Sequence, residues 1–471
     1  MDNIERIKFV DQKVKEEISP TFCLAKWHHT TIYLHRGQTH SCYHPKPHDI
    51  PTEDLKYKPS TLHNTMQKID ERIEMLNGDE PEGCQYCWNV ESMGGDYISD
   101  RMIRNGSIYT EERLQEIQRN PLSDTFAPEY IEIAFSHECN FKCGYCHPMH
   151  SSSFYNEIKK HGEYPVDNHS CDIEWFTAID EENNPYIDAW WRWWPEVSKT
   201  LNILRITGGE PLLHKTTFDL LDRLYDDPKP QLELNLNTNL GMSSRHVTKF
   251  ADKIKVLLEE NKIGKFKMFS SIDTWGERAE YIRTGLDLDL WEQNQDIYLR
   301  TVKSHITHMC TFNILSVTTF KDYLAKILEW RDKYDHIIPD NLGSDPTVRK
   351  IRFDTPYLKE PIQYDMHILP KEEFLPYFDE CLEFIKENID EENTKKFSNL
   401  EYERFRRVRD YFASEQYTDE KISQGRRDFY AWFSEYDDRR EVDFLATFPE
   451  YADFWKLCKA ETERMIPVTN V

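Results

Sequence analysis

Seven of the chain's eleven cysteines fall into two groups. Clusters of this kind serve metal binding or redox work more often than disulfides when a protein is intracellular. Cys139, Cys143 and Cys146 stand at x3 and x2 spacing directly after the strand-like run Tyr130–Ser136. Three thiolates on one short loop can ligate three irons of a cubane cluster. The fourth iron then stays open to a chelating substrate, as catalytic metal sites keep a position vacant. The same sulfurs could take zinc with a fourth ligand, and His137 and His147 could serve. The second group, Cys23, Cys42, Cys84 and Cys87, could fully ligate an iron–sulfur cluster or build a four-cysteine structural zinc site. The nearby His28, His29, His40 and His44 are expected at the surface or behind the ligands. Cys171, Cys310, Cys381 and Cys458 are isolated and are expected to be buried small residues.

These groups must be held by regular elements. Strand-like segments are expected at Thr30–Leu34, Tyr130–Ser136, Ile203–Thr207, Leu232–Asn237, Phe266–Ile272, Thr311–Ser316 and Lys350–Asp354. Amphipathic helical segments at Thr216–Tyr225, Ser244–Glu260, Trp291–Ser304 and Lys321–Tyr334 alternate with them. That alternation implies βα units and a parallel sheet, and six units suggest a partial or full α/β barrel with its site at the C-terminal strand ends. Near the N-terminus, Ser60 is expected to cap a helix carrying Leu62, Met66, Ile69, Ile73 and Leu76, with Gly78 as its stop. An insertion at about 148–200 carries the run Trp190-Trp191-Arg192-Trp193-Trp194, expected on a helix that packs its tryptophans on the barrel. Asp180-Glu181-Glu182-Asn183-Asn184 reads as a solvated loop.

In this setting the chain resembles the radical S-adenosylmethionine (SAM) superfamily over about 128–355. The triad reads Cys139-Asn140-Phe141-Lys142-Cys143-Gly144-Tyr145-Cys146, with an aromatic residue before the last cysteine. Thr207-Gly208-Gly209-Glu210-Pro211 is similar to the family's GGEP element, which holds the SAM amino group. Ser271-Ile272-Asp273 is similar to its S-x-D element at the ribose, and Arg283 stands where relatives place an arginine on the SAM carboxylate. Asn239 and Asn313 fall where relatives line the SAM pocket. The resemblance implies a [4Fe–4S] cluster on Cys139, Cys143 and Cys146, reductive cleavage of SAM to a 5′-deoxyadenosyl radical, and hydrogen abstraction from a substrate carbon. Phe22-Cys23-Leu24-Ala25-Lys26-Trp27 and Gly83-Cys84-Gln85-Tyr86-Cys87-Trp88, with Gly37 between the first two cysteines, resemble the twitch (SPASM-like) auxiliary-cluster module. That implies a second [4Fe–4S] cluster. Relatives usually carry this module after the barrel, whereas here it precedes it.

The expected organisation is therefore an α/β chain of three regions. A small cysteine-rich α+β module occupies 1–105, a partial (βα)6 radical SAM barrel 106–360, and a charged helical region 361–471. The 471 residues suit two to three domains. The formal charge of −25 and the absence of an overall basic balance disfavour nucleic acid as a partner. No apolar run approaches a membrane span, and Met1 to Lys13 lacks a signal-peptide core. A soluble, cytoplasmic protein with no membrane partner is expected. The expected function is a radical SAM oxidoreductase or modifying enzyme acting on a peptide or protein side chain, served by an electron donor such as flavodoxin or ferredoxin. The alternatives are a small-molecule dehydrogenase of the same class and a non-catalytic zinc-binding interaction protein with a degenerate barrel. No general base or hydrogen donor is identifiable from the sequence.

Overall fold

A computed structural model describes residues 3–92, 98–168, 170–174, 176–337 and 349–465. Nine strands are present among them: β1 (His29–Tyr33), β2 (Gln38–His40), β3 (His48–Asp49), β4 (Tyr130–Ala134), β5 (Ile203–Thr207), β6 (Lys229–Thr238), β7 (Ile263–Ser271), β8 (Ile306–Met309) and β9 (Ile351–Asp354). They lie in the order β3-β2-β1-β4-β5-β6-β7-β8-β9. β1 runs parallel to β4, with Ile32 opposite Ile133, and β4 runs parallel to β5, with Ile133 opposite Ile206. β7–β8 and β8–β9 are also parallel, while β2 pairs antiparallel with both β1 and β3. The N-terminal strands thus extend the sheet at β4. Helices Lys215–Asp226, Ser244–Glu259, Leu288–Val302 and Phe320–Tyr334 fall between the later strands as the βα pattern requires.

Two local expectations are corrected. Thr311–Ser316 is not a strand: Asn313 Oδ1 accepts from Leu315 N at 3.0 Å and its carbonyl from Ser316 N at 2.9 Å, an Asx turn that competes with extended pairing. The strand lies earlier, at Ile306–Met309, where Ile306 and His308 turn inward. The N-terminal helix is Met66–Asn77, capped by Thr65 rather than Ser60. Thr65 Oγ1 accepts from Lys68 N, whereas Pro59 and Ser60 open a separate 3-10 turn and Ser60 Oγ donates to Asp124 O at 3.2 Å. Gly78 ends the helix with φ 85°, the left-handed conformation that glycine adopts without strain.

Internal contacts divide the chain into two units. The first comprises residues 1–136, 177–235 and 260–265. Phe22, Leu24, Trp27, Leu114 and Ile117 are buried together in it. Its helix Pro185–Val197 is capped by Asn184, whose Oδ1 accepts from Tyr186 N and Ile187 N at 2.9 and 3.2 Å. Asn184 is therefore buried and not part of a solvated loop. Trp190, Trp193 and Trp194 face inward, and Trp190 meets Phe135, the residue just after β4, at a ring separation of 6.4 Å.

The second unit comprises residues 137–176, 236–259 and 266–471. Its C-terminal part is helical as expected, with Lys371–Glu387, Asn399–Ala413, Asp419–Arg440 and Ala452–Met465. These helices bury aromatic side chains, among them Phe378 and Phe405 against Phe312, and Phe433 and Tyr436 against Tyr281. No helix among the described residues is long and apolar enough to cross a membrane.

Candidate metal centre

Cys139, Cys143 and Cys146 lie on the loop that leaves β4, in the second unit. The loop is fixed mainly by its own backbone. Lys142 N donates to Thr284 O at 3.0 Å, Gly144 N to Ile282 O at 3.2 Å, and Cys146 N to Cys143 O at 3.0 Å. Cys139 N donates to Ser152 Oγ at 3.1 Å, and Ser153 Oγ donates to Cys139 O at 2.7 Å. Gly144 is required for space, since a Cβ there would stand 2.0 Å from Tyr364 Oη.

Those backbone pairings bring the segment 282–284 alongside the cysteines. Arg283 is buried and splits its guanidinium between two partners: Nη1 reaches Cys143 Sγ at 3.6 Å and Nη2 donates to Asp273 Oδ1 at 2.9 Å. Asp273 also accepts from Tyr145 Oη at 2.9 Å and from Thr311 N at 3.0 Å. Arg283 Nε is buried and donates to no group among the described residues. Asn239 Nδ2 donates to Asn140 Oδ1 at 2.9 Å and stands 3.8 Å from Cys139 Sγ. The motif residues Tyr145, Asn239, Asp273 and Arg283 therefore meet the cysteine loop. Ser271 ends β7, and Asn313 is engaged in its own turn, donating from Nδ2 to Thr311 O at 2.9 Å.

The electrostatics follow from burial. It raises Cys143 and pushes Cys146 up to about 12. It also raises the Asp273 carboxyl, against the pull of Arg283 and the hydrogen bonds from Arg283, Tyr145 and Thr311. Burial opposes the charge on Arg283 as well, but Asp273, Tyr145 and Cys143 outweigh it and hold the guanidinium protonated. A buried cation beside thiols favours the thiolate form.

Gly208, Gly209 and Glu210 follow β5 in the first unit. Gly208 has φ 111°, and a Cβ would stand 2.6 Å from Ser136 O. Only glycine fits this close approach. Gly209 N donates to Ser136 O at 3.2 Å, and the buried Glu210 accepts from Leu212 N at 3.0 Å.

Also within the first unit, Cys23, Cys42, Cys84 and Cys87 line one pocket together with Lys26, Ser41, Arg101 and Arg104. Burial pushes Cys23 and Cys87 up to about 12 and Cys84 to about 11, and raises Cys42. Such thiols ionise only against compensating positive charge. Lys26 supplies some at Cys84 and Arg101 some at Cys23. Ser41 Oγ is buried and bonds to nothing among the described residues. Lys26 and Ser41 lie beside Cys23 and Cys42 in sequence, but nothing in their residue types marks them as partners of the thiols; Arg101 is fourteen residues beyond Cys87 and is brought in only by the fold. His28, His29 and His40 are buried, and His44 stacks on Tyr86 and meets Asp100 at 2.7 Å. Cys171, Cys310, Cys381 and Cys458 are buried as expected.

A mostly parallel α/β sheet, with a three-cysteine loop and an acid–arginine pair beyond it, has the form of a radical SAM site. No family model matches the chain. Curated proteins do. The GTP 3′,8-cyclase of Campylobacter curvus is 32% identical over 212 residues, covering 43% of this chain and 56% of that protein. The Helicobacter pylori protein of the same name is 33% identical over 179 residues, 37% of this chain and 48% of its own. That of Rhizobium leguminosarum bv. trifolii is 27% identical over 192 residues, 39% and 45% respectively. The chain spans about half the length of the curated relatives it matches. These similarities support the radical SAM superfamily, an enzyme, and with it a [4Fe–4S] cluster and SAM as cofactors.

Proposed function

We propose that the chain is a radical SAM enzyme that abstracts hydrogen from a peptide or protein side chain and uses a second iron–sulfur cluster in its N-terminal cysteine pocket. The observation that carries this reading is the placement of Arg283 between Cys143 Sγ and Asp273. When bound, a [4Fe–4S] cluster would supply the electron for reductive cleavage of SAM. Cys139, Cys143 and Cys146 would hold the cluster. Arg283, through its undonated Nε, suits a carboxylate; Asp273 and Ser271 suit ribose hydroxyls; Glu210 suits an ammonium. Gly208 and Gly209 would let backbone approach a ligand closely, and by the resemblance Tyr145, Asn239 and Asn313 are further candidates for SAM contact. These residues would orient SAM, and the burial of Glu210, Asn239, Asp273, Arg283 and Asn313 would help keep water from the reactive species.

The N-terminal segment to about 105 would serve as the auxiliary module, 106–360 as the barrel and 361–471 as a helical cap. Three buried thiols and the half-buried Cys42, the cations Lys26, Arg101 and Arg104, and a Ser41 hydroxyl that bonds to nothing among the described residues suit a dianionic four-thiolate centre. Zinc with four thiolates needs Zn–S distances of about 2.3 Å, hence tightly converging sulfurs. A cubane spreads the same thiolates over four irons, and the resemblance of these cysteine segments to the twitch module is what favours iron–sulfur. An acceptor centre of this kind would take the electron left on the substrate, giving net oxidation, with flavodoxin or ferredoxin as the donor to the first cluster.

The names of the relatives favour a second reading, a purine nucleotide as substrate. Deuterium transfer from labelled peptide or labelled GTP into 5′-deoxyadenosine separates the two. The auxiliary cluster is tested by the iron and sulfide content of the reconstituted Cys139→Ala/Cys143→Ala/Cys146→Ala protein. About four irons retained supports it. Zinc or no metal would make the pocket structural.

A further inference from the structure

The long helix Asp419–Arg440 ends in two arginines to which the sequence assigns no chemistry. Its last residue, Arg440, has a side chain with no exposed surface, an unusual place for a guanidinium. Its donors are spent on the cysteine loop and its neighbour. Nη1 donates to Lys142 O at 2.6 Å and to Thr284 Oγ1 at 3.0 Å. Nη2 donates to Glu157 Oε1 at 2.9 Å, and the guanidinium stacks on Tyr436 with its carbon 3.9 Å from the ring centroid. Lys142 immediately precedes Cys143, and Thr284 immediately follows Arg283. One planar fork therefore ties the residue beside a thiol to the residue beside the arginine that faces it.

We infer that Arg440 is a positioning residue that fixes the Cys143 loop and the Arg283 segment in one register, so that a cluster and SAM meet correctly. This rests on the proposed role of Cys139, Cys143 and Cys146 as cluster ligands. A rigid fork suits the task because its donors keep a fixed angle, which a lysine ammonium does not impose. Glu157 anchors the other side of the fork and is itself held by Lys142 and by Tyr164 Oη at 2.8 Å. Tyr436 Oη and Thr284 Oγ1 lie 2.8 Å apart, so the helix contacts Thr284 twice. The helix Asp419–Arg440 is thereby part of the metal centre and not only a cap upon it.

The test compares wild type with Arg440→Met, Arg440→Lys and Thr284→Val after anaerobic reconstitution of the full chain. Iron content, SAM Kd by equilibrium dialysis and the electron paramagnetic resonance spectrum of the reduced cluster with and without SAM are read. The expected result is wild-type iron in every variant. SAM Kd rises about tenfold or more in Arg440→Met, with a diminished SAM-induced spectral change, and Arg440→Lys recovers part of both. Wild-type Kd and spectral change in an iron-replete Arg440→Met protein overturn the inference. Should Arg440→Met fail to fold or to hold iron, Thr284→Val decides. A Kd raised about threefold or more upholds the inference, and an unchanged Kd overturns it. If wild type itself assembles no cluster on the three cysteines, the reading of the site fails first and takes this inference with it.

Discussion

Arg283 holds Cys143 Sγ at 3.6 Å with one terminal nitrogen and Asp273 Oδ1 at 2.9 Å with the other. One buried cation thus serves a thiol and an acid that are 130 residues apart in sequence. The pairing does not depend on surface exposure, so salt screens it little.

Arg283→Lys is expected to weaken SAM binding about tenfold, equivalent to about 1.4 kcal/mol, while leaving the cluster in place. A lysine ammonium has three donors but lacks the fixed planar fork that spans Cys143 and Asp273 and leaves Nε undonated. Equilibrium dialysis with the reconstituted protein checks this, with iron content as the control for folding.

The tryptophan run separates core from surface. Trp190 is fully buried, and Trp190→Ala is expected to cost about 3–5 kcal/mol of stability. Trp191 is only half-buried and lies against the Arg223 guanidinium at 4.7 Å. Trp191→Ala should cost about 1 kcal/mol or less, the range of an exposed cation–π contact. Urea unfolding of the two variants provides the comparison, and equal losses would contradict the assigned packing.

His308 makes a pH prediction. Burial, aided by Arg331, pushes its pKa down from 6.5 to about 3 in the fold. Its ring nitrogens lie 2.9 Å from Tyr323 Oη and 2.6 Å from Gln295 Oε1. Between those pKa values the unfolded chain binds the proton and the folded chain does not. This contribution to stability is whole above about pH 6.5 and shrinks as the pH falls toward 3, by up to about 1.4 kcal/mol per pH unit. His308→Gln is expected to flatten the dependence of unfolding free energy on pH between 6 and 4. An unchanged slope would place the titration elsewhere.

Much of the second unit was legible because its helices are long and its apolar periodicity is strong. The expected helix Ser244–Glu260 is observed at Ser244–Glu259; in the first unit the expected strand Ile203–Thr207 is observed at the same residues. Short-range competition defeated the reading at Thr311–Ser316, where an apolar run hides the Asx turn of Asn313. It also hid the Thr65 cap, which lies five residues beyond an equally suitable serine. The parallel pairing of β1 with β4 spans about a hundred residues and has no local signature.

The metal-ligand candidates were legible because thiol spacing along one loop is a local property. Tyr145, Asp273 and Arg283 were placed only through the resemblance, yet they converge on the loop. Arg440 was visible as part of a pair of arginines but carried no signal. Its role is set by the fold of a helix almost 300 residues downstream of Lys142.

The most direct test of the radical SAM reading is 5′-deoxyadenosine formation from SAM under dithionite, comparing anaerobically reconstituted wild type with Cys143→Ala. The account predicts 5′-deoxyadenosine from the wild type and none above background from the variant. No product from iron-replete wild type, or equal product from Cys143→Ala, would contradict it.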